Sequence, residues 1–424
     1  MPRRASCGAF RSILAALALA PATALLDPFR CATNLDCQLN GACDAKTGAC
    51  VCDIAWRGER CHELALLPAE MSAGLQDPHL STWGGSVLHN ATDGTWHMYA
   101  AVIENECGWS SWRPNSAIGY ANATSPTGPF TLQRIIKPHF AHEPVALRTP
   151  EGLVAIWHIG GGAGEVGPTS NYAWNCTNHC TGHGTHKHAG GTTFYGPTSI
   201  IAAATFDATE WEASELDIGI GSHLEGCSTC GDTNPAPMLL AGGGVKMMWR
   251  TTSISAGDIE RHACPGHSCM AMADAPAWRG PYDWSAGQGA ARIGANVFPA
   301  QGPGSSGKTH VEDAHMWQTA TTSTSAANPG SFHAIFHSDV EADSKGAAGG
   351  HAWSADGVTW AFSPLNAFTS VVQLANGSNV TLRQRERPHL VFDEAGAIVA
   401  LTNGVGLLND CDRVFTFAQA VQQK

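Results

Sequence analysis

Along this chain, short apolar runs bearing aromatic residues alternate with Gly-, Asn- and Asp-rich breaks. No apolar period near 3.6 persists beyond the first thirty residues. Residues 95–102, 153–159, 245–250, 332–337 and 398–402 are strand-length runs of this kind. Ahead of each stands a short opening with a polar or charged leader followed by Pro or Ala. The five openings are Asp77-Pro78-His79-Leu80, Glu143-Pro144-Val145-Ala146, Asn234-Pro235-Ala236-Pro237, Asp313-Ala314-His315-Met316 and Arg387-Pro388-His389-Leu390. After the first four, a third element ends on an aromatic, over 121–130, 202–211, 272–284 and 352–360.

A unit that recurs in this way, made of short strands and turns, predicts an all-β chain built as a five-bladed β-propeller over residues 72–420. The leading residue of each innermost strand then faces one axial funnel. That reading sets Asp77, Glu143, Asn234, Asp313 and Arg387 around a single pocket. His79, His315 and His389 each follow a leader by two positions, so they share its strand face and are expected to point towards the axis as well.

Composition agrees with many short strands. Charged residues are 14 % of the chain, against about 25 % in an average soluble domain. Gly is abundant, at 47 residues, and Trp equals Phe at 14. A net charge of −12 argues against a nucleic-acid partner, which needs a basic face.

Residues 1–24 read as a signal peptide. Arg3, Arg4 and Arg11 form a basic start, 13–19 an apolar core, and Ala22-Thr23-Ala24 a small-residue cleavage site. An uncleaved anchor is the rival, but the stretch is short of the roughly 20 residues a span needs and Pro21 breaks it. The expectation is a secreted, extracellular protein with no membrane span after cleavage. Of 15 cysteines, Cys7 lies in this segment, which leaves an even number for an oxidising route. The sequons at Asn90, Asn122, Asn175, Asn376 and Asn379 fit a glycoprotein made on that route.

Cys31, Cys37, Cys43, Cys50, Cys52 and Cys61, with the Cys50-Val51-Cys52 pair and Gly58 ahead of the last cysteine, resemble an EGF-like module over residues 31–61. The resemblance implies the disulfides Cys31–Cys43, Cys37–Cys50 and Cys52–Cys61. A chain this short needs such staples because its core is too small. Asp27-Pro28-Phe29-Arg30 lacks the acidic and amide cluster of calcium-binding members, so no calcium is expected there. A spacer or adhesion surface suits the module better than growth-factor activity.

For the other cysteines, proximity in sequence suggests the pairs Cys176/Cys180, Cys227/Cys230 and Cys264/Cys269, with Cys107–Cys411 joining the first and last blades. Zinc is the alternative for 176–188, where His179, His183, His186 and His188 accompany Cys176 and Cys180. Redox chemistry is the alternative at Cys227-Ser228-Thr229-Cys230.

Blade one reads Gln76-Asp77-Pro78-His79, then Gly94-Thr95-Trp96-His97-Met98-Tyr99-Ala100, then Ser116-Ala117-Ile118-Gly119-Tyr120-Ala121 with Gly128-Pro129-Phe130. Blade four carries Ser354-Ala355-Asp356-Gly357-Val358-Thr359-Trp360. This order resembles the propellers of glycoside hydrolase family 43 and its relatives. The resemblance implies inverting hydrolysis, in which a carboxylate activates water and a carboxylic acid protonates the leaving oxygen across a gap of about 6.5–9.5 Å.

Carried over by position, Asp77 is the base, Glu143 the acid or the group that tunes it, and Asp313 the helper. The family's blade-three Glu is Asn234 here, and an amide cannot act as the proton donor. Either Glu143 or Glu312-Asp313 must then supply the acid. His79, Trp109, Trp112, Asn234, His315, Arg387 and His389 are the expected substrate contacts. No organic cofactor is implied, and a cation held on the axis by a His is the one inorganic option. The expected function is glycosidase-like hydrolysis of a polysaccharide or glycoconjugate. The alternatives are a non-catalytic carbohydrate-binding or adhesion protein and, last, a protein-binding propeller. Nothing in the pattern specifies an oligomer.

Overall fold

The computed structural model describes residues 30–160, 176, 198–214, 233–252, 268–283, 311–320, 326–338, 348–363 and 365–423. The small module comes first, with β1 (Gly41–Asp44) paired to β2 (Ala49–Cys52) and β3 (Trp56–Arg57) paired to β4 (Glu63–Leu64). It is closed by Cys31–Cys43, Cys37–Cys50 and Cys52–Cys61, the three pairs that the resemblance implies.

Five antiparallel sheets follow, one per blade. Blade one is β5 (Ser81–Asn90), β6 (Thr95–Ile103), β7 (Ser116–Ala123) and β8 (Thr131–Lys137). Blade two is β9 (His142–Arg148), β10 (Val154–Ile159), β11 (Thr198–Ala203) and β12 (Glu212–Ser214). Blade three is β13 (Thr233–Leu239), β14 (Val245–Thr252) and β15 (Ser268–Ala275) among the described residues. Blade four is β16 (Val311–Gln318), β17 (Phe332–Ser338), β18 (Ala348–Ser354) and β19 (Ala361–Phe362). Blade five is β20 (Val371–Gln373), β21 (Asn379–Phe392), β22 (Ile398–Leu407) and β23 (Phe415–Ala420).

Both faces of each inner sheet are covered, which is why β6 and β10 read as near-continuous apolar runs rather than alternating ones. The faces pack blade against blade. Ala155, Trp157 and Ile200 of blade two meet Met247, Trp249 and Ala273 of blade three. Met248 and Met272 of blade three meet Met316, Phe336 and Trp360 at the next junction.

The ring is closed by the segment between the module and β5. Leu66 bridges Val421, and Leu75 bridges both Thr416 of blade five and Phe130 of blade one. The Leu67 amide donates to the Ala420 carbonyl, and the Gln422 amide to that of Ala65. Cys107 does not close the ring with Cys411. It bonds Cys176, so the loop after β6 is tied to the long insertion between β10 and β11 rather than to the last blade. Cys411 is itself disulfide-bonded. That arrangement also removes the pairing of Cys176 with Cys180. Cys180, Cys227, Cys230 and Cys264 lie outside the described residues, as does the side chain of Cys269.

Candidate active site at the propeller axis

Each innermost strand is broken by a bulge at the same place. The register slips between Glu312 and His315 in β16, between Glu386 and His389 in β21, and between Thr233 and Ala236 in β13. In β9 the bulge spans His142 to Val145. One residue in each bulge adopts a left-handed conformation: Glu143 (φ 59), Asn234 (φ 57), Asp313 (φ 58) and Arg387 (φ 51). Four non-glycine residues in this disfavoured region, at equivalent sites, mark a place where side-chain direction matters more than backbone ease. The bulge turns all four side chains towards the axis.

The blade-one member of this set is Gly84, not Asp77. In β5 the register slips between Trp83 and Ser86, and Gly84 carries the positive φ of 66. A Cβ at Gly84 would lie 2.7 Å from Arg387 Cγ, so the glycine leaves room for the guanidinium to cross the axis. Asp77 and His79 lie ahead of β5 and outside the ring. The Asp77 carboxylate accepts the His79 amide at 2.8 Å, and its carbonyl accepts Arg413. The His79 side chain is 75 % exposed, 3.6 Å from Glu106.

The four ring side chains are almost wholly buried and form one network. Asn234 Nδ2 donates to Glu143 Oε1 at 2.7 Å and also to Asp313 Oδ1. The Asn234 amide donates to Glu143 Oε2 at 2.5 Å. Arg387 donates to Asp313 Oδ1 at 3.1 Å and to the Glu143 carbonyl at 2.9 Å, and its Nη1 lies 3.7 Å from Glu143 Oε2. Two carboxyl oxygens sharing one nitrogen donor lie within about 6 Å of each other. That is closer than the 6.5–9.5 Å an inverting pair needs to hold a water between its members. Burial raises the Glu143 carboxyl to about 7, with the charge of Asp313 adding to the rise while Arg387 and the Asn234 amide oppose it. A carboxyl at that value can give or take a proton near neutral pH.

The residues just before the bulges extend this network. Glu312 pairs across the sheet with His337, and both Glu312 and Glu386 are less buried than the ring. Glu312 forms an ion pair with Arg250 and stands 3.5 Å from His337 Nδ1. Burial pulls the His337 imidazole down, but its bond to Glu312 and the charges of Glu386, Glu312 and Asp313 outweigh burial and raise it to about 9. His337 is therefore an imidazolium at neutral pH. Arg250 and His337 sit on second strands, opposite the bulges, where a search of leading residues does not look.

Ligand atoms of Glu312, Asp313, His337 and Glu386 lie within 4.8 Å of one another. The Arg250 guanidinium and the imidazolium already offset that negative charge. His315 and His389 pack edge to face at 5.0 Å, and each is held neutral by burial, with the Arg387 charge pushing further in the same direction. A guanidinium on the axis repels the cation that the resemblance allows.

Trp109 and Trp112 stand beside the ring as a half-buried aromatic shelf. Trp109 stacks on Trp83 at 3.9 Å, and Trp112 stacks on His142 at 4.7 Å, next to Glu143 in sequence. Asp412 fixes the shelf by accepting the Ser110 amide and hydroxyl, and Cys107–Cys176 fixes its base. Arg385, by contrast, is turned into blade five, where it donates to Asn403, Thr369 and Gln419.

Two of the solved structures similar to this chain show the shared architecture. A glycoside hydrolase superposes with a TM-score of 0.52 at 10 % identity, covering 85 % of this chain and 93 % of its own. The α-L-arabinofuranosidase of Podospora anserina superposes with a TM-score of 0.52 at 8 % identity, covering 84 % and 96 %. The fold is that of glycosidase propellers. At such identities the likeness extends to the fold alone. No protein-family model and no curated protein matches the sequence. Among the described residues no helix is long and apolar enough to cross a membrane.

Proposed function

We propose that this chain is a secreted, glycosidase-like enzyme that cleaves a glycosidic bond of a polysaccharide or glycoconjugate in the axial funnel. The observation that carries the reading is the convergence of Glu143, Asn234, Asp313 and Arg387 from four equivalent bulges, with one carboxyl held near 7. Glu143 serves as the protonated acid. Asn234 and Arg387 fix its orientation, and Asp313 keeps its proton affinity high by like-charge coupling. Glu312 and Glu386, less buried than the ring, take the place that Asp77 vacates, as the carboxylates facing the anomeric centre or its water. Trp109 and Trp112 supply stacking faces for a sugar ring. The apolar N-terminal segment, the disulfides and the sequons support secretion.

A binding-only pocket is favoured by two features, Gly84 in the blade-one slot and the Asn234 amide that occupies both buried carboxyls. The deciding experiment is a hydrolysis screen on aryl glycosides and on plant and algal polysaccharides, with Glu312→Gln, Glu386→Gln and Glu143→Gln in parallel. An enzyme shows sugar release that falls by about 10²–10⁴ when an acid–base carboxyl is lost. Glycan binding without release in any form would make the protein a lectin-like propeller.

A further inference from the structure

The small module packs on blade four over a pair of buried imidazoles. Trp56 of the module lies 4.9 Å from the His351 ring and stacks nearly parallel to Trp317 of β16 at 6.4 Å. Gln38 Nε2 donates to Ser363 Oγ at 2.9 Å, and Asn328 donates to the carbonyls of Leu39 and Gly41. Under these contacts His333 of β17 and His351 of β18 are 1 % and 0 % exposed.

A single run of hydrogen bonds passes through both rings into the module. Ser331 Oγ lies 2.8 Å from His333 Nε2, His333 Nδ1 lies 3.2 Å from His351 Nε2, and His351 Nδ1 lies 3.0 Å from Gln38 Oε1. Two neutral rings fill this run: Ser331 donates to His333, His333 to His351, and His351 to the module's Gln38. One added proton is a charge buried in a run that holds no carboxylate, and a second sets two N–H groups against each other between the rings. Burial pulls the His333 imidazole down to about 3, and it is the main cause that lowers His351, with charge on His333 adding to it. The other neighbours are aromatic, Trp317 stacking on His333 at 5.0 Å and Trp353 on His351 at 5.7 Å. On β16, His315 stacks on Trp317 and is itself held neutral by burial. The module's own carboxylate at this interface is Asp53, which accepts the Ala327 amide at 3.0 Å. Burial raises Asp53, so it favours docking in acid and opposes the histidines.

We propose that the His333–His351 pair is a pH-sensitive latch: in acid it takes up a proton and the module lets go of blade four. Release exposes His351, because Gln38 and Trp56 leave with the module. A free imidazole takes a proton near pH 6.5, which the docked ring does not. Docking is therefore fully held above about pH 6.5 and weakens below it, about tenfold per pH unit for one proton. The module's three disulfides and the Leu66–Val421 bridge do not titrate, so the module leaves folded and tethered. The latch does not depend on the reading given for the axial carboxylates.

The test places a thiol at Ser363, which is 1 % exposed and bonded to Gln38. The whole Ser363→Cys protein is labelled with a dipyridyl disulfide, which reacts with thiols in mild acid, and its rate at each pH is divided by that of a short thiol peptide. Ala155→Cys, with its thiol in the core between blades two and three, reports global unfolding. One proton on the pair speeds labelling of Ser363→Cys about 30-fold between pH 7.5 and pH 5.0, and at least tenfold is expected after the opposing effect of Asp53. No acceleration is expected in Ala155→Cys, and less than threefold when His333→Gln and His351→Gln are added to Ser363→Cys. A pH-independent rate in Ser363→Cys, which needs no histidine variant to fold, would overturn the proposal. So would equal acceleration in Ala155→Cys or in the protein lacking both histidines.

Discussion

Glu143→Gln separates a buried, proton-holding carboxyl from an ordinary ion-paired one. The carboxyl rises from 4.5 unfolded to about 7 folded, so the folded state keeps a proton that the unfolded state has lost. Stability is therefore greatest below the unfolded value and falls as pH rises through about 4.5–7. At about 1.36 kcal/mol per pKa unit, the fall is on the order of 3 kcal/mol. Gln carries no such titration. It does present one acceptor oxygen where Glu143 presents two, so one of the Asn234 donors loses its partner. That loss costs about 1–2 kcal/mol at every pH.

The expected pattern is thus a crossing. Near pH 4.5 the variant is about 1–2 kcal/mol less stable than wild type, and near pH 8 it is equal or more stable by a similar amount. Denaturant unfolding at a series of pH values, followed by tryptophan fluorescence, reads both curves. Subtracting one from the other removes titrations common to both forms. A difference that stays flat with pH, or that slopes the other way, would refute a proton-holding Glu143.

Three further outcomes are expected. Gly84→Ala places a Cβ 2.7 Å from Arg387 Cγ at a φ of 66, and should lower stability by about 2–4 kcal/mol in thermal or denaturant unfolding. His337→Gln should cost most below about pH 6.5 and least above about pH 9, because a folded pKa raised to about 9 contributes stability at low pH that is lost as the imidazolium deprotonates; a pH series of melting temperatures checks it. Cys107→Ser should cost about 2–5 kcal/mol and should expose the stretch around Trp109 to limited proteolysis sooner than the module, whose three disulfides remain.

Much of this architecture is legible in the sequence for a physical reason. In blades two to five the bulge residue turns a polar side chain inward, so Glu143, Asn234, Asp313 and Arg387 stand out against their Pro or Ala neighbours. Blade one is misread because its bulge is Gly84-Gly85, a pair with no chemistry to notice, while Asp77-Pro78 imitates the pattern seven residues earlier. Arg250 and His337 escape because cross-strand register, not sequence spacing, brings them opposite the bulges. The Cys107 partner escapes because blade positions say nothing of where a long insertion folds back. The module's pairs are readable only through the resemblance, which its six cysteines and Gly58 carry and which implies the pairing.

The clasp formed by the segment around Leu66 and Leu75 bears on how the protein can be cut. That stretch looks like a linker, and an expression boundary at residue 72 would separate the module from the propeller cleanly on paper. It would also remove Leu66 and Leu67 from their places against Val421 and Ala420 and leave the free edge of β23 exposed. An exposed strand edge templates pairing with another chain. A truncated propeller is therefore expected to run as dimers or larger species on gel filtration, whereas a cut placed ahead of Leu64 retains the clasp.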